Sequence, residues 1–373
     1  MVIRTITCHH AFNHGAMLQA YALLTYLQSL GHDARAIDYR PWYMPPVKVY
    51  FNYVDKRFNY PIIRQLYRFY HKRAWLFEQE RRSVLERFFV SSIPTTSEQY
   101  RSAKKLKDNP PVADIYIAGS DQIWNTTFEN GNDPAFYLNF GSPKRKISYA
   151  ASFATMSLKL GTEQFVKEQL KNFDAISIRE ESGKKILESL GYRGDLVLDP
   201  VFLLDKDFWI DFAKKEDTGS IEEYVLTYDF EHRKSSVKRI AKRLAALYGY
   251  KIYSVSPSRS HHEYADQSFA CCSPEKFVSL IKNAKCVVSN SFHGTAFSII
   301  LEKNFFVVNR KDGLNIRMID LLNRYDLNDR LVNPETSDEL LSKDVNYSLM
   351  RSRLGRDADV SRSFLLHQIE LAR

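Results

Sequence analysis

Residues 286–301 read CVVSNSFHGTAFSIIL, an apolar strand, a polar turn and an apolar helix, with His293 at the helix mouth. The turn is Ser289, Asn290, Ser291 and Phe292, and the helix is expected to open at His293-Gly294-Thr295. A titratable imidazole is thereby set where unpaired backbone N–H groups collect. That pairing suits a bound anion and a proton donor. Gly294 would let the backbone approach a ligand closely, and Ser291 and Thr295 would either cap the helix or hold phosphate oxygens. The plain alternative is a capped, buried helix that happens to carry a histidine.

Positioning such a turn requires a sheet. Val2–Ile6 reads as a β-branched strand, residues 16–30 as a helix ended by Gly31, and Asp33–Tyr39 as a second strand, so the chain opens with a βαβ unit and a parallel sheet. Pro41, Pro45 and Pro46 then break the pattern and introduce a basic, aromatic insertion at about residues 42–90, expected as two helices. The sheet resumes at 112–118, followed by GSDQIWN, and helix and strand then alternate, with Ser182 expected to cap the helix 182–190. The polar run 214–223 holds the link to a second unit, with strands expected at 224–227, 251–255, 286–289 and 305–308. The reading is α/β: two Rossmann-like, doubly wound domains, 1–205 and 206–373, facing across a cleft, with a last helix at about 360–372 packing back. Open parallel sheets bind ligands at the carboxyl ends of their strands, where GSDQIWN, SIREE and SNSFHG all lie.

A length of 373 residues suits two cores, and 44% hydrophobic with 26% charged residues is the composition of a soluble globular protein. No 18-residue apolar run spans a bilayer and MVIRTITCHH has no signal-peptide core, so the expected location is cytoplasmic. Cys8, Cys271, Cys272 and Cys286 have neither zinc-site nor disulfide-framework spacing and are expected to be reduced thiols. His9, His10 and His14 share one loop without a neighbouring carboxylate, and no metal is expected. Of the net charge of +9, residues 40–89 carry +7, eleven Lys or Arg against four acids, among fourteen aromatics. That mixture fits an anionic membrane surface or a single-stranded nucleic acid, or simply a helical insertion with its aromatics turned inward.

Taken in order, FNHGAMLQAYALLTYLQSLGH, IDYRP, YIAGSDQIWN, KISYAASF, ISIREESG, LVLDPVFLL, SNSFHGTAFSII and NIRMIDLL resemble the polysaccharide pyruvyl transferase family. The resemblance spans nearly the whole chain apart from the insertion. It implies a GT-B-like fold and transfer of a pyruvyl group from phosphoenolpyruvate to a sugar hydroxyl pair as a cyclic ketal, in bacterial capsule or exopolysaccharide synthesis. Phosphoenolpyruvate would be a co-substrate, with no cofactor, and a lipid-linked oligosaccharide an acceptor. The basic insertion would then touch the inner membrane face as a peripheral contact, and no nucleic acid is expected.

Ketal formation needs a proton delivered to the enol carbon, and anion clamps. The resemblance makes His293 the general acid and Arg179 a clamp for phosphate or carboxylate. Many family members carry Arg-Leu-His-Gly where this chain has Ser291-Phe292-His293-Gly294, so one donor-binding arginine is missing. Position in the fold points to Arg317 beside Asn315, or to Arg310 or Lys311, as its replacement. Ser291, Phe292, Gly294 and Thr295 complete the expected donor site. Asn13, His14, Gln122 and Asn125 are expected on the acceptor side, with Asp121 as base. The plain alternatives are a turn-capping Asp121 and an Arg179 paired at the surface with Glu180 or Glu181. A nucleotide-sugar glycosyltransferase of the same architecture is the alternative enzyme, and a membrane- or nucleic-acid-binding module the non-enzymatic one.

Overall fold

The computed structural model describes residues 1–44, 60–70, 72–216, 222–231, 236–255, 263–310 and 315–373. Two parallel sheets organise the chain. The first is formed by β1 (Val2–Ile6), β2 (Asp33–Tyr39), β3 (Thr95–Tyr100), β4 (Ile115–Ala118) and β5 (Arg145–Ser148), in the order β3-β2-β1-β4-β5. A short pair, β6 (Ser177–Ile178) and β7 (Asp195–Leu196), continues its edge through bridges from Ile147 to Ala175 and from Ala151 to Ile178. The second comprises β8 (Tyr224–Tyr228), β9 (Lys251–Val255), β10 (Gln267–Ser268), β11 (Cys286–Ser289), β12 (Asn304–Val308) and β13 (Leu331–Val332), in the order β10-β9-β8-β11-β12-β13. Both orders reverse beside their first strand, as in Rossmann sheets, and the pair makes the GT-B-like architecture expected from the sequence.

Parallel strands covered on both faces must be apolar throughout. IYIA of β4, YVLTY of β8 and CVVS of β11 are accordingly buried at every position. Strand β3, TTSEQY, escaped the sequence reading because it lies at the sheet edge beside β2 and its polar side chains are mostly partly exposed, so no apolar run marks it. The helix Phe292–Ile300 is buried at all nine residues, which is why its sequence is apolar all round. The helix His14–Ser29 is capped by the Asn13 side chain, which accepts from the Ala16 N–H at 2.7 Å.

Helix Glu181–Ser189 begins one residue earlier than expected and is not capped by the Ser182 hydroxyl. The Ser182 N–H instead donates to the Asp320 carboxylate at 3.1 Å, a partner 138 residues away. The two halves are joined again where the neutral His14 ring donates its Nε2–H to the Cys272 carbonyl at 2.9 Å and stacks on Phe277 at 4.8 Å. The final helix, Tyr347–Glu370, returns to the first sheet: the Leu198 N–H donates to Ser361 Oγ at 2.9 Å, and Arg145 donates to Gln368 at 2.6 Å. All four cysteines are free.

In the insertion, helices Pro61–Tyr70 and Lys72–Ser92 divide the two readings of its aromatics. The second turns Leu85, Phe88 and Phe89 into the core, and Glu78 accepts from Arg81 and Arg82. The first leaves Ile62, Leu66, Phe69 and Tyr70 exposed, Phe69 at 81%. Residues 45–59, which include Lys48, Phe51, Lys56 and Arg57, lie outside the described residues. Among the described residues no helix is long and apolar enough to cross a membrane.

Candidate functional site

Five strands of the two sheets end at one place. The chain leaves β4 into Ser120-Asp121, β6 into Arg179, β7 into Asp199, β11 into Ser291–His293, and β12 toward Arg317. The switch points of both sheets therefore share one cleft, and the sequence-expected residues His293, Arg179, Arg317, Phe292 and Asp121 meet there.

Asp199 is the hub, and the sequence reading missed it. Its carboxylate is fully buried, accepts from Ser120 Oγ at 3.0 Å and from Arg179 Nη1, and lies 3.7 Å from His293 Nε2. The residue sits at the mouth of the short turn Pro200–Leu203, where its other oxygen accepts the Val201 N–H at 3.2 Å. Asp-Pro reads in sequence as a turn; the only signal of more was its place at a strand's carboxyl end. Burial alone would raise its pKa. The His293 imidazole and Arg179 guanidinium outweigh that and hold the carboxyl well below the usual carboxylate range.

Arg179 is not a surface residue paired with Glu180 or Glu181. Its side chain is 1% exposed and touches Asp199, Asp121 at 3.4 Å and Glu180 at 3.6 Å. Burial opposes its charge, but those carboxylates hold the guanidinium pKa above its ordinary value. Glu180 is spent on the fold, its Oε1 accepting the Phe153 and Ala154 N–H groups at 2.9 and 3.2 Å. Arg317 is also buried, 3.6 Å from Asp121. Burial and the neighbouring Arg179 push its pKa down to about 10. Both guanidinium groups stand over the Phe292 ring, at 4.5 and 5.7 Å from its centroid. Two like charges thus stand beside one aromatic ring, and Nε of each lacks a hydrogen-bond partner.

His293 Nε2 is buried and has no hydrogen-bond partner, since 3.7 Å to Asp199 is an ion-pair distance and too long for a hydrogen bond. Its ring is located by Gly15: a Cβ added there would fall 2.0 Å from His293 Nδ1. Asp121, at φ 73°, is held in the left-handed region, the kind of strain that concentrates at functional sites. A cavity of about 490 Å³ opens against Arg179, Asp199 and Phe292, with Lys185, Asp320 and Arg324 on its wall.

Several other expected site residues make contacts within the fold. Gly294 permits close helix–strand packing, because a Cβ there would meet Ser289 Oγ at 2.5 Å. The Thr295 hydroxyl donates to the Ser291 carbonyl at 3.0 Å, and the Ser291 side chain does not cap the helix. Asn315 closes its own loop on the Arg310 backbone at 2.6 and 2.7 Å, while Lys311 lies outside the described residues. Asn13 is a helix cap. Asn125 is fully buried, donating to Gln122 at 3.0 Å and accepting from Thr127 at 2.7 Å. Gln122 is half-buried at the same loop.

His14, sealed between the two halves, makes folding pH-dependent. Burial lowers its pKa to about 4, with the Cys272 carbonyl opposing the shift. The unfolded imidazole takes a proton near pH 6.5 and the folded one does not, so the stability is fully present above about pH 6.5 and is lost as pH falls toward 4. The shift corresponds to about 3 kcal/mol. Urea unfolding midpoints are expected to fall between pH 7 and 4.5, and His14→Phe, which keeps the stack on Phe277, is expected to lessen that slope; an unchanged slope would contradict this role.

The sequence matches the polysaccharide pyruvyl transferase family over residues 13–312. No curated protein matches it. Among solved structures, S. aureus MnaA in its co-structure with UDP is similar over 100% of this chain and 98% of that one, at 10% identity and a TM-score of 0.53. The UDP-N-acetylglucosamine 2-epimerase of Rickettsia bellii covers 99% of this chain and 96% of its own, at 12% identity and a TM-score of 0.46. E. coli ADP-heptose lps heptosyltransferase II covers 83% and 85%, at 11% identity and a TM-score of 0.36. At such identities the MnaA likeness speaks to the fold alone, and it agrees with the paired Rossmann-like sheets described above. With the family match covering most of its length, the chain belongs to the polysaccharide pyruvyl transferase family.

Proposed function

We propose that the protein transfers a pyruvyl group from phosphoenolpyruvate to two hydroxyls of a sugar, forming a cyclic ketal. The observation that carries this reading is the convergence of Arg179, Arg317 and His293 Nε2, which has no hydrogen-bond partner, on Phe292. A small donor with two anionic groups and a protonatable carbon needs that set: two clamps and one acid. Arg179 and Arg317 hold the donor's phosphate and carboxylate, with Arg317 supplying the charge missing at Ser291. His293 delivers its proton to the methylene carbon, which becomes a methyl group, and the adjacent carbon becomes oxocarbenium-like. One sugar hydroxyl adds there. The second then displaces phosphate, whose departure takes up the remaining proton.

Asp121, paired with both arginines in the free protein, yields them to the donor's anionic groups and thereby becomes available as the base for the first hydroxyl. Gln122, on the same loop, is the acceptor-side contact. No cofactor enters this chemistry. Thermal shift tests the donor: at about 100 times its Kd phosphoenolpyruvate would stabilise by about 2.7 kcal/mol, an effect expected to shrink in Arg317→Ala. Stabilisation by nucleotide sugars and none by phosphoenolpyruvate would overturn the reading in favour of a glycosyltransferase.

The acceptor belongs to surface-polysaccharide assembly, as a lipid-linked oligosaccharide at the inner membrane face. What supports this is the exposed apolar side of Pro61–Tyr70, with Arg64 and Arg68 in the same helix. Acidic liposomes are expected to sediment the protein at low salt. Equal recovery with neutral liposomes would remove the membrane from the account.

A further inference from the structure

We infer that His9, His10 and Asp38 form a binding site for one first-row divalent metal ion of the zinc type, separate from the pyruvyl-transfer cluster. The sequence reading set these histidines aside because no carboxylate stood near them. The fold supplies one. His9 and His10 occupy the short turn His9–Ala11 that follows β1, and the neighbouring β2 brings Asp38 beside them. One ligand atom from each of the three lies within 4.8 Å of the other two, and all three residues are buried.

The hydrogen-bond network explains His10 and leaves His9 unexplained. His10 Nε2 lies 3.0 Å from Asp38 Oδ1, which also accepts from Arg40 Nε at 2.6 Å, and Asp38 Oδ2 accepts from Gln99 at 3.1 Å. His9, in contrast, is 0% exposed and neither ring nitrogen makes a well-formed hydrogen bond, although the Thr7 backbone lies near the ring. An imidazole presents a donor or a lone pair at each nitrogen, and one backbone neighbour serves one of them at most, so this buried ring points to a missing partner. Phe89 stacks on that ring at 5.3 Å and 8°, fixing where its nitrogens point. A second unpaired buried atom lies close by: Glu86 Oε2, on a residue whose other oxygen is 3.8 Å from Arg40. One guanidinium among two carboxylates leaves the cluster one positive charge short, which a cation would supply.

Two imidazole nitrogens with carboxylate oxygen match zinc or its first-row neighbours, whereas magnesium and calcium take oxygen donors. Metal–ligand bonds of about 2.0–2.2 Å require the three atoms to close by roughly an ångström. Arg40 and Gln99 would then orient the ligating carboxylate from behind. The ion would pin the turn that leads into helix His14–Ser29, whose Gly15 abuts His293. The inference stands on this cluster alone and does not depend on the donor assigned above.

The test uses the full chain, stripped with a chelator and titrated with zinc by calorimetry and with cobalt by visible absorption. The expected result is one ion per chain, cobalt bands of a four- or five-coordinate site with no thiolate band, and a raised thermal midpoint with zinc. His9→Phe, which retains the stack on Phe89, is expected to weaken zinc binding at least tenfold and to lose the thermal shift, and Asp38→Asn to weaken it likewise. Absence of zinc and cobalt binding by the unmodified chain overturns the proposal whether or not the variants fold. Equal affinity in His9→Phe, or a thiolate-to-cobalt band placing the ion on a cysteine, overturns it as well.

Discussion

His293→Ala is expected to lower turnover of phosphoenolpyruvate with a saccharide acceptor by about 10²–10⁴-fold, the usual worth of a positioned general acid. Donor affinity should change little, because the anion is held by Arg179 and Arg317. The loss should therefore fall on kcat. Gly15→Ala provides a control that leaves His293 in place chemically: a Cβ 2.0 Å from Nδ1 must push the ring aside, although alanine suits the surrounding helix better than glycine. Turnover should drop in Gly15→Ala with the fold intact. Retention of full activity in His293→Ala would remove it as the acid.

The second large effect concerns Asp199. Asp199→Ala removes the buried anion nearest Arg179 and His293; breaking a buried pair costs about 3–5 kcal/mol, and because Asp121 and Glu180 remain beside Arg179 the loss should fall at the low end, about 3 kcal/mol. Its depressed pKa gives the pH sense. The unfolded carboxyl takes a proton near pH 3.9, whereas the folded one resists to lower pH, so this stabilisation is complete above about pH 4 and is lost as pH falls through the folded value. Asp199→Ala should unfold at lower denaturant at pH 7, and the deficit should shrink as the pH is brought down through the acid limb. Asp199→Asn, which keeps the shape, should recover part of the stability and little of the turnover. A variant as stable and as active as the parent would show that the buried carboxylate does neither job.

Sequence patterning revealed the two Rossmann-like units because buried parallel strands are unbroken apolar runs, as IYIA and CVVS are. It passed over β3, whose polar composition reflects its edge position. At the site, His293 and Arg317 were legible from their places after strands. Asp199 was hidden because Asp-Pro signals a turn in any context, and only the fold shows that its carboxylate is buried between Arg179 and His293. Gly294 and Thr295 were read toward a ligand; the neighbours that the fold adds, Ser289 and the Ser291 carbonyl, are not legible in the sequence. His14 looked like a polar loop residue, and its partner, Cys272, stands 258 residues away. Local pattern carries periodicity and strand ends; it does not carry which distant backbone group meets a side chain.

The most direct test of the pyruvyl-transfer account is the reaction run in heavy water with phosphoenolpyruvate and a panel of oligosaccharides offering a hydroxyl pair, the product read by mass spectrometry and proton NMR. Proton delivery to the methylene carbon predicts a saccharide ketal whose methyl group carries one deuterium, with release of inorganic phosphate. A ketal methyl without deuterium, or a phosphorylated saccharide with free pyruvate, would contradict it.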